Sequence, residues 1–132
     1  MIERRVINPW SWQDKYDFVQ ANEVSGVGRT LICSGQTAID SEGNIVHSGN
    51  IAAQLTMALD NLEEVLRKAD FLLSDVVRMT IYTTDVDKLI SVYRPTATRL
   101  REAKCRPAQT LLGVTRLAFP DLMVEIEATA MK

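Results

Sequence analysis

Residues 123–130 alternate without a break, with Val124, Ile126, Ala128 and Ala130 on one side and Met123, Glu125, Glu127 and Thr129 on the other. Successive side chains of an extended chain point to opposite faces. The pattern therefore predicts a strand with one face for a core and another presenting two carboxylates. Residues 75–83 alternate in the same way, Val77, Met79 and Ile81 opposite Arg78, Thr80 and Tyr82, and predict a second strand. Residues 50–69 carry a helical period. Ile51, Leu55, Ala58, Leu59, Leu62, Val65, Leu66 and Ala69 recur at three- and four-residue steps, an apolar stripe on an amphipathic helix. Asn50 is placed to cap its start, and Arg67 and Lys68 sit in the last turn, where the helix dipole favours cations.

A second helix is predicted from Asp85 or Asp87, with Leu89, Val92, Tyr93, Thr96, Leu100 and Ala103 on its buried side. Pro95 lies inside it, deleting a backbone donor and crowding the preceding turn; a kink is expected there, or a break at which Pro95 opens a new first turn. Towards the N-terminus, residues 4–7 read as a short strand ended by Asn8-Pro9, and residues 16–21 as another. Gly26 and Gly28 allow a reversal into a β-rich segment at 30–33, which suggests an antiparallel hairpin of these last two strands. Residues 108–114 complete the set. The order β-β-β-α-β-α-β-β gives an α+β fold, a mixed β-sheet with two helices packed on one face. The other face carries Glu125 and Glu127, with Gln109 on the preceding strand, and it meets either water or another subunit.

The chain has 132 residues, 46% hydrophobic and 24% charged, the balance of one soluble domain spanning 1–132. No apolar run approaches a membrane span and the start lacks a signal peptide's apolar segment. Cys33 and Cys105 have no short ligand spacing, so reduced thiols and a cytoplasmic location are expected. His47 is the only histidine, which rules out a His-based metal cluster; no metal and no cofactor is expected. The net charge of −2 argues against broad attraction to nucleic acid. The run Arg94, Arg99, Arg101, Lys104 and Arg106 has only Tyr93 beside it and reads as a solvated helix face. Trp10 and Trp12 read as packing at a subunit or domain edge, or as a cleft wall. From the strand alone, Glu125 and Glu127 are either outward-facing solvated residues or site carboxylates.

Several segments in order carry a resemblance: Ser34-Gly35-Gln36, the Gly43 turn, Gln54, Ala58-Leu59-Asp60-Asn61-Leu62, Asp75-Val76-Val77, Thr84-Asp85, Arg106-Pro107-Ala108, and Val124-Glu125-Ile126-Glu127-Ala128. Together they resemble the Rid/YjgF family, many of whose members hydrolyse reactive imines and enamines. The resemblance implies a chorismate-mutase-like homotrimer whose uncovered sheet faces form a central barrel, with a small-molecule cleft at each subunit boundary. It implies that Glu125 positions or activates the attacking water, that Ser34 and Gly35 line the cleft near the imine, and that Leu111 is a further lining residue. Three positions depart from the family pattern. Gln109 stands where an arginine grips the substrate carboxylate, Phe18 where a tyrosine is usual, and Val92 where asparagine is frequent; a slip of one residue would bring Tyr93 there. A bidentate arginine–carboxylate pair contributes about 1.5–3 kcal/mol or more, whereas glutamine offers one neutral donor group and one acceptor. Two functions remain: a Rid-type hydrolase whose substrate lacks a simple carboxylate handle, or a trimeric small-molecule-binding protein without catalysis. An RNA-cleaving role, an older label of the family, finds no paired histidine, metal cluster or extended basic groove here.

Overall fold

The computed structural model describes residues 2–132. Strands β1 (Glu3–Ile7) and β2 (Ala21–Ser25) form an antiparallel ribbon. Strands β3 (Thr30–Gln36), β4 (Val76–Thr83), β5 (Ala108–Gly113) and β6 (Val124–Met131) form a four-stranded sheet in the order β3-β6-β4-β5. Strand β6 runs antiparallel to both neighbours, whereas β5 is parallel to β4. A parallel pair needs a long crossover, and here it is supplied by two short helices, α2 (Val86–Val92) and α3 (Arg94–Glu102).

Helix α1 (Ile51–Lys68) forms where the apolar stripe predicts it, and the Asn50 side chain accepts from the Ala53 backbone N–H at 3.0 Å. Its Leu55, Leu59, Leu62 and Leu66 are fully buried in one core with Met79 and Ile81 of β4 and Val124, Ile126, Ala128 and Ala130 of β6. Each such leucine is worth roughly 1.5–3 kcal/mol of burial. Leu62→Ala should cost about 2–5 kcal/mol, since both the transfer term and the cavity count, and urea unfolding followed by circular dichroism would measure it.

The structure decides one open expectation and corrects two. Of the kink or break expected at Pro95 it takes the break: Tyr93 ends α2, and Pro95 sits in the first turn of α3, where its missing N–H breaks no hydrogen bond. Residues 16–21 are not a strand. Residues 12–16 form a 3-10 turn that stops at Asp17, whose φ is +62°. The strand begins only at Ala21, and its partner is β1 rather than β3. Long-range polar ties favour that choice. Arg4 donates to the Asn22 side chain at 3.0 Å and to the carbonyls of Ser74 and Val76 at 3.0 and 3.1 Å, and Asn22 donates to the Val77 carbonyl at 2.9 Å. The ribbon is thereby fastened to the start of β4, and β3 is left to pair with β6.

Candidate functional site

Register decides which face each candidate occupies. In β6, Val124, Ile126, Ala128 and Ala130 are buried under α1, so Glu125, Glu127 and Thr129 lie on the face without helices. Tyr82 stands opposite Glu125 and Thr80 opposite Glu127, and the Tyr82 hydroxyl donates to Glu127 at 2.6 Å. On β5 the same open face takes Ala108, Thr110 and Leu112, the partners of Arg78, Thr80 and Tyr82. Gln109 and Leu111 pair with the core residues Met79 and Ile81 and therefore point to the helix side. Within one chain, Gln109 and Glu125 project from opposite faces of the sheet. The expectation that placed Gln109 with the carboxylates is corrected by this two-residue periodicity.

Gln109 and Leu111 open into a cavity of about 850 Å³ between the sheet edge, the α2–α3 break and the segment 15–18. Phe18 reaches it because the chain after Asp17 runs beside β5: the Val19 N–H donates to the Pro107 carbonyl at 3.2 Å and Val19 bridges Ala108. Asp17 is held by Arg101, at 2.9 and 2.5 Å. Ile81, Leu89, Ile90 and Phe18 supply apolar wall. Trp12, 53% exposed, packs edge-on against Phe18 with ring centroids 5.8 Å apart. The polar feature beside the sheet edge is a pair, in which the Gln109 side-chain NH2 donates to the Tyr93 hydroxyl at 3.1 Å. Burial pushes the Tyr93 phenol up. Val92 packs against the core and Tyr93 takes the place in the cavity wall, one residue from the position aligned by sequence. The signal for Tyr93 was Pro95, because the break it forces leaves Tyr93 at the junction of two helices.

Glu125 forms a second group with Gly35 at the end of β3, where Ser34 is the preceding residue. A Cβ on Gly35 would lie 1.8 Å from a Glu125 carboxylate oxygen and 2.6 Å from its carboxyl carbon, so only glycine leaves room for the carboxylate where it stands. Burial pushes the Glu125 carboxyl up, and the neighbouring Glu127 charge adds to the shift. Strand β6 is anchored just ahead of this residue by Gln54, which is fully buried. Gln54 accepts from the Met123 N–H at 2.8 Å and donates to the Asp121 carbonyl at 2.8 Å and the His47 carbonyl at 3.2 Å. Gln54→Leu should destabilise the protein by about 1–3 kcal/mol for each backbone group left unpaired, read as a lower thermal midpoint.

Other candidate chemistries find less support. Burial pushes the Cys33 thiol up and the Cys105 thiol up to about 12, and a protonated thiol is a poor nucleophile. No cluster of metal-ligating side chains occurs among the described residues. The basic run is partly spent within the molecule: Arg99 bonds Asp60 and Glu63 of α1 at 2.6 Å each, and Arg101 bonds Asp17. No helix among the described residues is long and apolar enough to cross a membrane.

Residues 14–132 match the family model described as Endoribonuclease L-PSP. A RutC family protein of Pyrococcus horikoshii is 32% identical over 105 residues, covering 80% of this chain and 81% of the relative. The 2-iminobutanoate/2-iminopropanoate deaminase of Escherichia coli K12 is 30% identical over 112 residues, covering 83% and 86%. The crystal structure of YyfB, a Rid family protein of Yersinia pestis described as of unknown function, superposes with a TM-score of 0.88 at 36% identity over 98% of each chain. The chain belongs to the Rid/YjgF family. Its fold is the chorismate-mutase-like α+β fold of the Rid structures, including the Escherichia coli YjgF protein, with a TM-score of 0.70. Small-molecule binding and self-association fit a Rid protein in general.

Proposed function

We propose that this Rid protein hydrolyses a small imine or enamine that lacks a simple carboxylate handle. The observation that carries the reading is Glu125, a carboxylate raised by burial and seated against a glycine that leaves no room for a side chain. Imine hydrolysis adds water to the C=N carbon and then expels ammonia, leaving a carbonyl. It requires a held water and a group that moves a proton from that water towards the departing nitrogen. Glu125 supplies that group, Ser34 and Gly35 shape the space beside it, and Phe18, Leu111 and Gln109 hold the rest of the substrate. Because the Glu125 and Gln109 groups project from opposite faces, the complete site takes one group from each of two neighbouring copies, in a homotrimer. Ile32, 80% exposed, and Leu112, 45% exposed, are the apolar residues of the open face that such packing covers. The likeness to the Escherichia coli deaminase supports the reaction class; Gln109 limits the substrate.

The test is a coupled assay in which an amino-acid oxidase generates 2-imino acids and their loss is followed with wild type and Gln109→Arg. A regained arginine–carboxylate pair should raise the rate on 2-imino acids by about 10- to 100-fold over wild type. If neither protein shortens the lifetime of any imine, the alternative takes precedence: a small-molecule-binding protein without turnover, which the neutral Gln109 also favours. That reading predicts thermal stabilisation by a ligand with no product formed.

A further inference from the structure

We propose that the Gln109–Tyr93 pair reads a carboxamide, so that the ligand of this cleft is an uncharged amide with an apolar body. The inference rests on the cleft being the ligand site of the proposed function, and it names the chemistry that replaces the missing carboxylate. The pair is the centre of the argument. Gln109 spends one amide N–H on the Tyr93 oxygen at 3.1 Å. The phenol keeps its own O–H to donate, and the Gln109 carbonyl keeps its lone pairs to accept. With the glutamine amide turned the other way, the phenol donates to it, and the pair still presents one donor and one acceptor. An amide group presents the complementary acceptor and donor, C=O to the donor and N–H to the acceptor. A carboxylate offers acceptors only: it can take the phenol O–H and the second Gln109 N–H, but it leaves the Gln109 carbonyl without a donor. Burial raises the phenol, which keeps Tyr93 protonated and able to donate at neutral pH.

The surroundings agree with a neutral head group. The walls beside the pair are apolar, from Phe18, Ile81, Leu89 and Leu111, and the cavity of about 850 Å³ holds a body the size of a phenyl ring or larger. The charged residues of the cavity wall are elsewhere engaged or exposed: Arg101 is bound to Asp17, Lys15 lies 5.1 Å from the Tyr16 ring centre, and Arg94 is solvent-exposed. A site that hydrogen-bonds both ends of a dipole rejects the partner that leaves a buried group unpaired.

Titration calorimetry with 3-phenylpropanamide and 3-phenylpropanoate, which share one hydrocarbon, tests this on the full chain at neutral pH. Wild type should bind the amide at least about tenfold more tightly than the carboxylate, one to two hydrogen bonds' difference. Tyr93→Phe should lose about tenfold for the amide, and Gln109→Arg should reverse the preference. Equal binding of the two probes, no amide binding at millimolar concentration, or an unchanged amide affinity in Tyr93→Phe overturns the proposal. Tighter binding of the carboxylate, which Arg94 could supply, does so too. Because binding is read without turnover, the two readings fail separately. Amide preference without any imine hydrolysis leaves this inference standing, and hydrolysis without amide preference removes it alone.

Discussion

Replacing Glu125 with glutamine should lower imine turnover by about 10²- to 10⁴-fold, the range that a positioned general base contributes, while leaving the fold unchanged. The substitution keeps the shape of the side chain and removes its ability to take a proton. Glu125 lies on the open face, so α1 and the leucines beneath it are untouched. Single-turnover loss of an amino-acid-derived imine, with Gln109→Arg as the parent if wild type is slow, gives the rate; a thermal melt shows that folding is intact. An undiminished rate removes Glu125 from the mechanism. The pH profile carries a second signature. A base must be ionised to act, so activity falls as the pH drops through its pKa, and burial together with Glu127 sets that limb above the ordinary carboxylate range. Glu127→Gln removes one cause of the shift while its amide oxygen can still accept from Tyr82. The pKa of Glu125 should then fall and the acidic limb move to lower pH. A limb that stays in place would show that burial alone sets the value.

The elements legible in the sequence were those whose side chains have one environment per face. Helix α1 with its Asn50 cap, β4 and β6 follow from periodicity because each lays an apolar row on a single core. The N-terminal ribbon was not legible. Its strands are mostly exposed and its pairing is fixed by Arg4 and Asn22 reaching backbone carbonyls more than fifty residues away, which no local pattern encodes. The site divides in the same manner. The close seat of Glu125 against Gly35 joins two residues that the family resemblance had pointed to. That Gln109 faces the helices depends on the register of β5 against β4, and that Tyr93 rather than Val92 meets it depends on where the Pro95 break falls. At position 109 the sequence shows only a neutral residue; the fold places a phenol 3.1 Å from it.

Gly35→Ala should cost about 10²-fold in turnover with little change in stability, and the contrast between those two readouts gives the prediction its value. The added Cβ would sit 1.8 Å from the Glu125 carboxylate oxygen, 2.6 Å from Cδ and 2.8 Å from Cγ. All three are atoms of one flexible side chain on an open face, so the chain relieves the clash by swinging the carboxylate aside, not by moving the sheet. Gly35 has no positive φ that would strain an alanine. Folding therefore loses little, and a melt should shift by a few degrees at most. Catalysis loses more, since a displacement of about 1 Å in a reacting group can cost 10²-fold. A double-mutant cycle separates this from a general effect on the cleft. In a Glu125→Ala background no carboxylate remains to be displaced, so Gly35→Ala should add almost no further loss, a strong coupling between neighbours. If the two losses instead multiply, Gly35 acts through the shape of the cleft and not through Glu125. If Gly35→Ala is as active as wild type, the carboxylate has no required position, and the hydrolytic role assigned to it fails with it.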